Sequence, residues 1–307
     1  MLSSLPRRQR HDVNTDWIVP HWPVPAQVHA VCTTRRGGVS HAPYDAMNLG
    51  DHVGDDVVNV GKNRALLREA IQATPVFLQQ VHGVKVIQHG VQAIQFTQAG
   101  QPGEATPHGS QADACITQRA GVACTIMVAD CLPVLFANKA GNVVGAAHAG
   151  WRGLAGLNGV GVLESSFRQY ETLALAGIAC IDTKSIAKAS PGKDSLKVSL
   201  ANEMLVWLGP CIGPQKFEVG GEVRDAFVLH DPSAQSMFTP QGLGKWLADL
   251  AGLARLRLRA LGITQIYGND GSRAWCTASN PSRFFSHRRD AQVLGGSGRM
   301  AACIWLG

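Results

Sequence analysis

The sequence predicts one globular domain that mixes helices and strands, of the α/β or α+β class. Short apolar runs of β type alternate with segments of helical spacing from about residue 28 to the C-terminal end. Hydrophobic residues make up 45% and charged residues 16% of the chain, which is ordinary for a globular protein. A chain of 307 residues without visible internal repeats can bury a sizeable core.

The first third of the chain predicts a strand, a helix and a hairpin. The stretch "HAVCTTRRGGVS" is typical of a strand that enters a glycine loop. In "DVVNVGKNRALLREAIQAT" the apolar residues share one helical face, with Asp55 or Asp56 placed to cap the helix. Two short β-type runs flank His82 in "VFLQQVHGVKVIQ", which is a hairpin-like pattern.

The remainder predicts a β-rich centre, several helices and two closing strands. The centre runs from "ADACIT" to "GAAHAG", and a helix is expected in "GVLESSFRQYETLAL". Residues 176–202 have little pattern and are expected to be a surface insertion. Further strands are expected in "MLVWLGP", "ITQIYG" and "RMAACIWL", and helices in "EVRDAFVLH" and "KWLADLAGLARLRLRALGI". We expect residues 1–25 to be a flexible tail and residues 26–307 to be the domain.

Charge and cysteine usage exclude several classes of protein. The formal charge of +6 is modest, and half of it comes from three arginines within the first ten residues. No basic stripe with interleaved aromatic residues predicts nucleic-acid binding, and no apolar run is long enough to span a membrane. No secretory signal is visible, and the eight cysteines form no Cys-x-x-Cys pair. We therefore expect a cytoplasmic protein with reduced thiols.

A cysteine and a histidine in the central apolar segment form the first candidate site. If the loop "KAGN" reverses the chain so that Ala137 opposes Asn142, then Cys131 directly opposes His148. Opposed side chains lie about 4.5 to 5.5 Å apart at Cβ, close enough for both to bind one metal ion. The alternative is a buried thiol beside a histidine that is part of the core. A third ligand would be needed, and His82 is best placed among the other histidines because it lies at a strand end beside a glycine.

The chain resembles the YfiH family, also called the laccase-domain or polyphenol oxidase family and described as bacterial purine nucleoside phosphorylases. The resemblance rests on blocks that occur in family order from about residue 30 to the end, namely "TTRRGGVS", "NLGDHVGDD", "QQVHG", "ADACIT", "ADCLPVLFAN", "AAHAGWRG", "LGPCIGP", "FEVG", "FFSHRRD" and "GRMAACIWL". It implies an α+β fold, a layered α/β/β/α single domain with mixed β-sheets. It also implies that His82, Cys131 and His148 bind a metal, zinc or alternatively copper, and ligands of these types suit both metals.

The resemblance implies two reactions on purine nucleosides. One is the cleavage of adenosine, inosine and methylthioadenosine by phosphate, and the other is the deamination of adenosine. For deamination, a zinc-activated water could attack the purine, with Asp130 as a candidate proton carrier. The alternative for Asp130 is a structural turn residue.

Phosphorolysis needs cations to hold an anion beside the sugar, so arginines in the matched blocks are candidate substrate ligands. Taken alone, each arginine could instead form a structural ion pair or be a solvated surface charge, but five in matched blocks suggest that two or three bind the substrate. Phe285 could stack on the base or belong to the core, and Asn48 could bind ligand or hold its own turn. The arginine candidates are Arg35, Arg152, Arg288, Arg289 and Arg299.

Other functions stay open at this point. A multicopper laccase usually has paired His-x-His ligands, and the sequence contains none, but a copper-dependent polyphenol oxidase could use the same three ligands. A metal-free hydrolase could use Cys131 as nucleophile and His148 as base. An enzyme that edits peptidoglycan precursors is a further alternative. The oligomeric state cannot be predicted from the sequence.

Overall fold

The structure is a computed structural model, and it describes residues 16–89, 109–181 and 193–307. The strands are β1 (Val28–Cys32), β2 (Thr74–Val76), β3 (Val86–His89), β4 (Ala114–Thr117), β5 (Val122–Val128), β6 (Leu132–Asn138), β7 (Val144–Ala149), β8 (Met204–Leu208), β9 (Glu218–Gly220), β10 (Phe238–Gly242), β11 (Lys245–Ala248), β12 (Ile266–Gly268) and β13 (Met300–Leu306). The α-helices are α1 (Val57–Ile71), α2 (Trp151–Ala155), α3 (Val162–Ile181), α4 (Lys193–Asn202), α5 (Gly221–Val228), α6 (Leu250–Ala260) and α7 (His287–Leu294). Short 3₁₀ helices span Pro232–Met237 and Arg273–Trp275.

Two mixed sheets stack face to face between layers of helices. One sheet has six strands in the order β12-β8-β6-β7-β4-β3, and the other has four in the order β1-β13-β5-β2. Helices α3 and α6 cover the free face of the six-stranded sheet, and α1 covers the free face of the four-stranded sheet. The predicted α/β/β/α layering of a single domain is therefore confirmed. A small third sheet, β10-β11-β9, lies outside these layers.

The central strands are mostly apolar on both faces because both faces are covered. Every residue of β5, β6 and β7 is buried. Strands that are covered on both faces lose the usual alternation of polar and apolar residues. Leu135 and Ala146 face the core between the sheets, while Val134 and Ala147 face the helical layer.

The predicted hairpin around His82 is wrong. Strand β2 pairs with β5 in the four-stranded sheet, whereas β3 pairs with β4 in the six-stranded sheet, and both pairings are parallel. The segment between them crosses from one sheet to the other. Gln80 anchors it to the four-stranded sheet, because its side chain donates to the carbonyl of Met127 and accepts from the amide of the same residue.

Other boundaries also differ from the prediction. In "KWLADLAGLARLRLRALGI" the helix begins only at Leu250, capped by Asp249, because the first residues pair as β11. Helices α3 and α4 extend into residues 176–202 from both ends, and residues 182–192 lie outside the described part. Helix α1 is confirmed with Asp56 as its cap.

The described chain is already packed before residue 26, although a flexible tail was expected there. Trp17 is 7% exposed and contributes to the cluster beneath α1. Ile18 exchanges two backbone hydrogen bonds with Cys32. Residues 1–15 lie outside the described part. Within the described ranges, no helix is long and apolar enough to cross a membrane.

Candidate metal centre

The three sequence-predicted ligands lie together at one end of the six-stranded sheet. His82 is on the segment that crosses between the sheets, Cys131 immediately precedes β6, and His148 is in β7. One ligand atom from each residue lies within 4.8 Å of the other two. The sulfur of Cys131 is 3.6 Å from Nε2 of His82, and the two imidazole rings meet edge to face at 4.7 Å between centroids.

The register that led to this pair differs from the predicted one by two residues. His148 lies opposite Pro133, not Cys131, and Ala137 lies opposite Val144. The turn is longer than expected because the side-chain oxygen of Asn138 accepts the amides of residues 142 and 143, and six residues, 138–143, lie outside the ladder. A shift of two leaves each side chain on its predicted face, so Cys131 reaches His148 diagonally.

Gly150 and Gly153 leave room for the side chains of His82 and Cys131 and for the segment that carries His82. A Cβ atom at Gly150 would lie 2.8 Å from Cδ2 of His82 and 2.9 Å from the sulfur of Cys131. Both separations are shorter than van der Waals contact. A Cβ atom at Gly153, one turn further on, would lie 2.7 Å from the carbonyl oxygen of Gly83. The sequence "HAGWRG" therefore lets the His82 segment approach the end of β7 closely.

Asp113 is a site residue that sequence reasoning missed. Its carboxylate is fully buried and accepts a hydrogen bond from Nδ1 of His148 at 2.9 Å. It also accepts the backbone amides of Val81, His82 and Gly83 at 3.2, 2.8 and 2.7 Å. The available signal was an acidic residue at the start of the apolar run "ADACIT", since a buried carboxylate needs partners.

In this site the Cys131 thiol and the His148 imidazole shift each other's pKa. Burial raises the pKa of the Cys131 thiol, but His148 and His82 outweigh that effect and bring the pKa down to about 6. Burial lowers the pKa of His148, yet Cys131 and Asp113 outweigh it and bring that pKa up to about 9. Burial raises the pKa of Asp113, but the hydrogen bonds from His148 and Gly83 hold it below its usual value. A thiolate is therefore favoured at neutral pH, which is the form that binds metals.

The carboxylate of Asp130 accepts two hydrogen bonds that hold the turn before Cys131 in place. One of its carboxylate oxygens accepts from the hydroxyl of Thr277 at 2.6 Å, and the other accepts from the backbone amide of Arg288 at 2.7 Å. Its φ of 97° is rare for a residue with a side chain. These bonds fix the turn from which Cys131 enters the site.

Arg299 is the candidate arginine whose surroundings connect it to this centre. Burial lowers the pKa of its guanidinium, while the nearby Cys131 thiolate and Asp130 carboxylate raise it. Its Nη1 donates to the carbonyls of Ser297 and Gly298. No hydrogen bond from its Nε or Nη2 to another residue is found within the described ranges, so part of the guanidinium can bind a ligand.

Arg288 and Arg152 are two further candidate arginines, and both are exposed and accessible to a ligand. The guanidinium of Arg288 donates to the carbonyl of Glu218 and lies over the ring of Phe217, and Arg288 is exposed. Arg152 is exposed at the start of α2 and lies over the ring of Trp151. Arg152 follows the candidate ligand His148 closely in sequence, and the backbone of Arg288 is bonded to Asp130, the neighbour of Cys131.

The other candidate substrate ligands are engaged within the fold. Arg289 donates to the carboxylate of Asp290 and to three backbone carbonyls. Arg35 donates to Asp45 and to the carbonyl of Pro281. A guanidinium with this many internal acceptors holds loops together and has few donors left for a substrate.

Phe285 and Asn48 also have structural partners. Phe285 is completely buried, with the guanidinium of Arg35 over its ring at 4.8 Å, so its ring is not available to a base. Asn48 is completely buried, accepts the amides of Gly50 and Arg299, and donates to Asp55. It therefore holds the chain that carries Arg299.

The donor set fits a transition metal. Two imidazoles and one thiolate match the three protein ligands of an open zinc site, and the same donors bind copper. His148 donates its second ring nitrogen to a carboxylate, as metal-binding histidines usually do. Gly150 leaves space beside the donor atoms of His82 and Cys131.

Comparison with known proteins gives the family. Residues 29–190 and 192–307 match the family described as multi-copper polyphenol oxidoreductase laccase. Over 292 residues the chain is 44% identical to a purine nucleoside phosphorylase of Pseudomonas aeruginosa, which covers 94% of this chain and 98% of that one. It is 43% identical to the purine nucleoside phosphorylase YfiH of Escherichia coli K12 with the same coverage.

Solved structures agree with this assignment. A crystal structure of a Neisseria meningitidis protein matches with a TM-score of 0.70 at 37% identity, covering 95% of this chain and 99% of that one. The crystal structure of YlmD from Geobacillus stearothermophilus matches with a TM-score of 0.69 at 28% identity, covering 92% of both chains. The chain therefore belongs to the YfiH family, the family with the laccase-type domain, and is an enzyme of that type.

Proposed function

We propose that this protein is a metal-dependent purine nucleoside phosphorylase that acts on adenosine, inosine and methylthioadenosine. The observation that carries the proposal is the group of His82, Cys131 and His148 in a chain whose relatives are named purine nucleoside phosphorylases. Arg299 supports it, because its guanidinium lies within the electrostatic reach of Cys131.

The three donors would hold one metal ion, for which we propose zinc with copper as the alternative. Bound there, the ion would supply a Lewis acid with an open position for a substrate atom. Asp113 holds the ring of His148, and Asp130 holds the turn before Cys131. The chain itself therefore provides an ordered set of ligands.

Phosphate is the second substrate, and Arg299 is the proposed residue that binds it. A phosphate oxygen forms the new bond to C1′ of the ribose, the bond from C1′ to the purine nitrogen breaks, and the purine leaves with that electron pair and takes up a proton. Guanidinium groups are well suited to hold a phosphate dianion in a partly buried site. Arg288 and Arg152, which are exposed, are secondary candidates for the same role.

Adenosine deamination is proposed as a further activity of the same centre. It would replace the amino group at purine C6 with an oxygen from water and release ammonia. Asp130 remains the proposed proton carrier, although both of its oxygens already accept hydrogen bonds. Its contribution would therefore require one of these bonds to open.

A copper-dependent polyphenol oxidase is the second candidate, favoured by the description of the matching family. Within the described ranges, one group of three metal-binding side chains is found, and the sequence has no His-x-His pair. A multicopper mechanism is therefore not supported, and an oxidase would have to use one copper ion. Loss of a phenol's absorbance in the presence of oxygen but without phosphate would identify it.

We also propose a reducing, cytoplasmic location. Seven of the eight cysteines, all except Cys180, whose side chain lies outside the described part, are free thiols, and six of these seven are buried. Free thiols are usual in proteins that remain in a reducing compartment.

The test combines metal content with a phosphorolysis assay. Purified wild type, Cys131→Ala and Cys303→Ala are analysed for zinc and copper and then incubated with adenosine, with and without phosphate. Cys303 is the matched control because it is a buried thiol in the four-stranded sheet. We expect phosphate-dependent release of adenine by wild type and Cys303→Ala, and loss of both metal and activity in Cys131→Ala. Full activity of Cys131→Ala would refute the proposal.

A further inference from the structure

We propose that Asp113 is a positioning residue that sets the metal affinity of the centre by orienting two of its ligands at once. The inference rests on the proposed metal site, and it concerns how the chain prepares that site. Asp113 lies just before β4, in the strand order between the segment that carries His82 and the strand that carries His148.

Asp113 fixes the ring of His148. The side chain of His148 is 4% exposed and that of Asp113 is 0% exposed, so water does not compete for the bond between them. Because an ionised carboxylate only accepts, the hydrogen in this bond belongs to Nδ1 of the imidazole. The lone pair on Nε2 is then left for a metal ion, and the ring cannot rotate without losing the bond.

Asp113 also holds the backbone at His82. The φ of 60° at His82 lies in the left-handed region, which a residue with a side chain seldom adopts without support. Asp113 supplies that support by accepting three consecutive amides, from Val81 to Gly83. The loop is therefore held through its backbone amides. The ring of His82, which is exposed, stays free to bind a ligand.

One oxygen atom of Asp113 contacts both histidines. Oδ1 of Asp113 accepts both the amide of His82 at 2.8 Å and Nδ1 of His148 at 2.9 Å. The backbone of Asp113 is also fixed, since its amide donates to the carbonyl of Lys85 and its own carbonyl accepts the amide of His148. A single buried carboxylate therefore fixes the ring of His148 relative to the backbone of His82.

The test compares Asp113→Asn with Asn138→Ala in full-length protein made metal-free with a chelator. The side chain introduced by Asp113→Asn has the same shape as aspartate but would place an amide donor against groups that themselves donate. Asn138 is the matched control because its side chain holds the amides of residues 142 and 143 at the far end of the β6–β7 hairpin. Zinc affinity is measured by competition with a chromophoric chelator, cobalt binding by its visible absorption, and stability by thermal unfolding.

We expect Asp113→Asn to bind zinc about 10 to 100-fold more weakly than wild type and to give an altered cobalt spectrum. Asn138→Ala should lose thermal stability and keep wild-type zinc affinity and spectrum. An Asp113→Asn protein that binds zinc as tightly as wild type, or no more weakly than Asn138→Ala, would overturn the inference while leaving the metal site intact. A wild type that binds neither ion would overturn both the inference and the proposed metal site.

A second measurement on metal-free wild type avoids any dependence on how well the variant folds. If Asp113 organises the site before metal arrives, the amides of residues 81–83 exchange with deuterium slowly, because they are hydrogen-bonded to a buried carboxylate. Exchange as fast as that of exposed loop amides would contradict the inference.

Discussion

Gly150→Ala is the substitution that tests the geometry of the centre most directly. Gly150 has φ of −66° and ψ of 158°, which alanine adopts without strain, so the change adds only a methyl group. That methyl would lie 2.8 Å from Cδ2 of His82 and 2.9 Å from the sulfur of Cys131. Any effect therefore comes from displacement of these two side chains.

The size of the displacement decides the expected result. Ordinary contacts between such atoms are about 3.5 to 4.0 Å, so each of the two side chains must move away by about 0.6 Å or more. Metal sites tolerate deviations of only about 0.2 Å in their bond lengths. We therefore expect zinc affinity to fall by at least about 100-fold, which corresponds to about 2.8 kcal/mol. The metal-free protein should lose only about 1 kcal/mol of stability, because His82 is exposed and can move.

The assay is zinc competition with a chromophoric chelator, alongside thermal unfolding of the metal-free protein. Gly61→Ala is the matched control, because nothing lies within 4 Å of the methyl group it would add to α1. The control should bind zinc as wild type does and gain about 0.5 to 1 kcal/mol in stability, since alanine is favoured over glycine in a helix. Unchanged zinc affinity in Gly150→Ala would refute the argument that His82 and Cys131 bind one metal ion across this glycine.

Three further predictions follow from the structure. In metal-free Cys180→Ala protein, iodoacetamide should label Cys131 first, because the six remaining cysteines are buried, and zinc should prevent the labelling; equal labelling with zinc present would argue for a metal-free nucleophile. Arg299→Met should raise the KM for phosphate about 10 to 100-fold with little change in the KM for nucleoside, the loss expected for a hydrogen bond to a charged group; an equal rise in both constants would count against a phosphate site. Trp17→Ala should lower the free energy of unfolding by about 3 kcal/mol, since Trp17 is 7% exposed, whereas a loss below about 0.5 kcal/mol would show that residues before 26 contribute little.

The sequence was sufficient to predict that the three candidate ligands lie close together, because two simple patterns were robust. The apolar runs around Cys131 and His148 had to be buried strands, and a hairpin brings the ends of its strands together. The predicted register was wrong by two residues, since nothing in "KAGN" shows that Asn138 would hold a longer turn. The error was harmless for the site, because side chains alternate with a period of two.

Long-range pairing could not be predicted from local pattern. The runs on either side of His82 look like the arms of a hairpin, but they join different sheets, and the carboxylate that holds their connection comes from Asp113, 30 positions after Gly83 in the chain. In the same way, Arg289 and Phe285 lie in a matched block, yet their partners are the residues around them. A motif shows that a residue matters and does not distinguish contact with substrate from support of the fold.

The segment that crosses between the two sheets would let a bound metal ion stabilise the whole domain. His82 lies on the stretch of chain that leaves the four-stranded sheet and enters the six-stranded one, while Cys131 and His148 belong to the latter. An ion bound by all three side chains would cross-link the segment between the sheets to the six-stranded sheet. Heat or force would then have to break its bonds before the sheets could slide apart, so loading the centre would slow unfolding of the whole domain as well as equip it for chemistry.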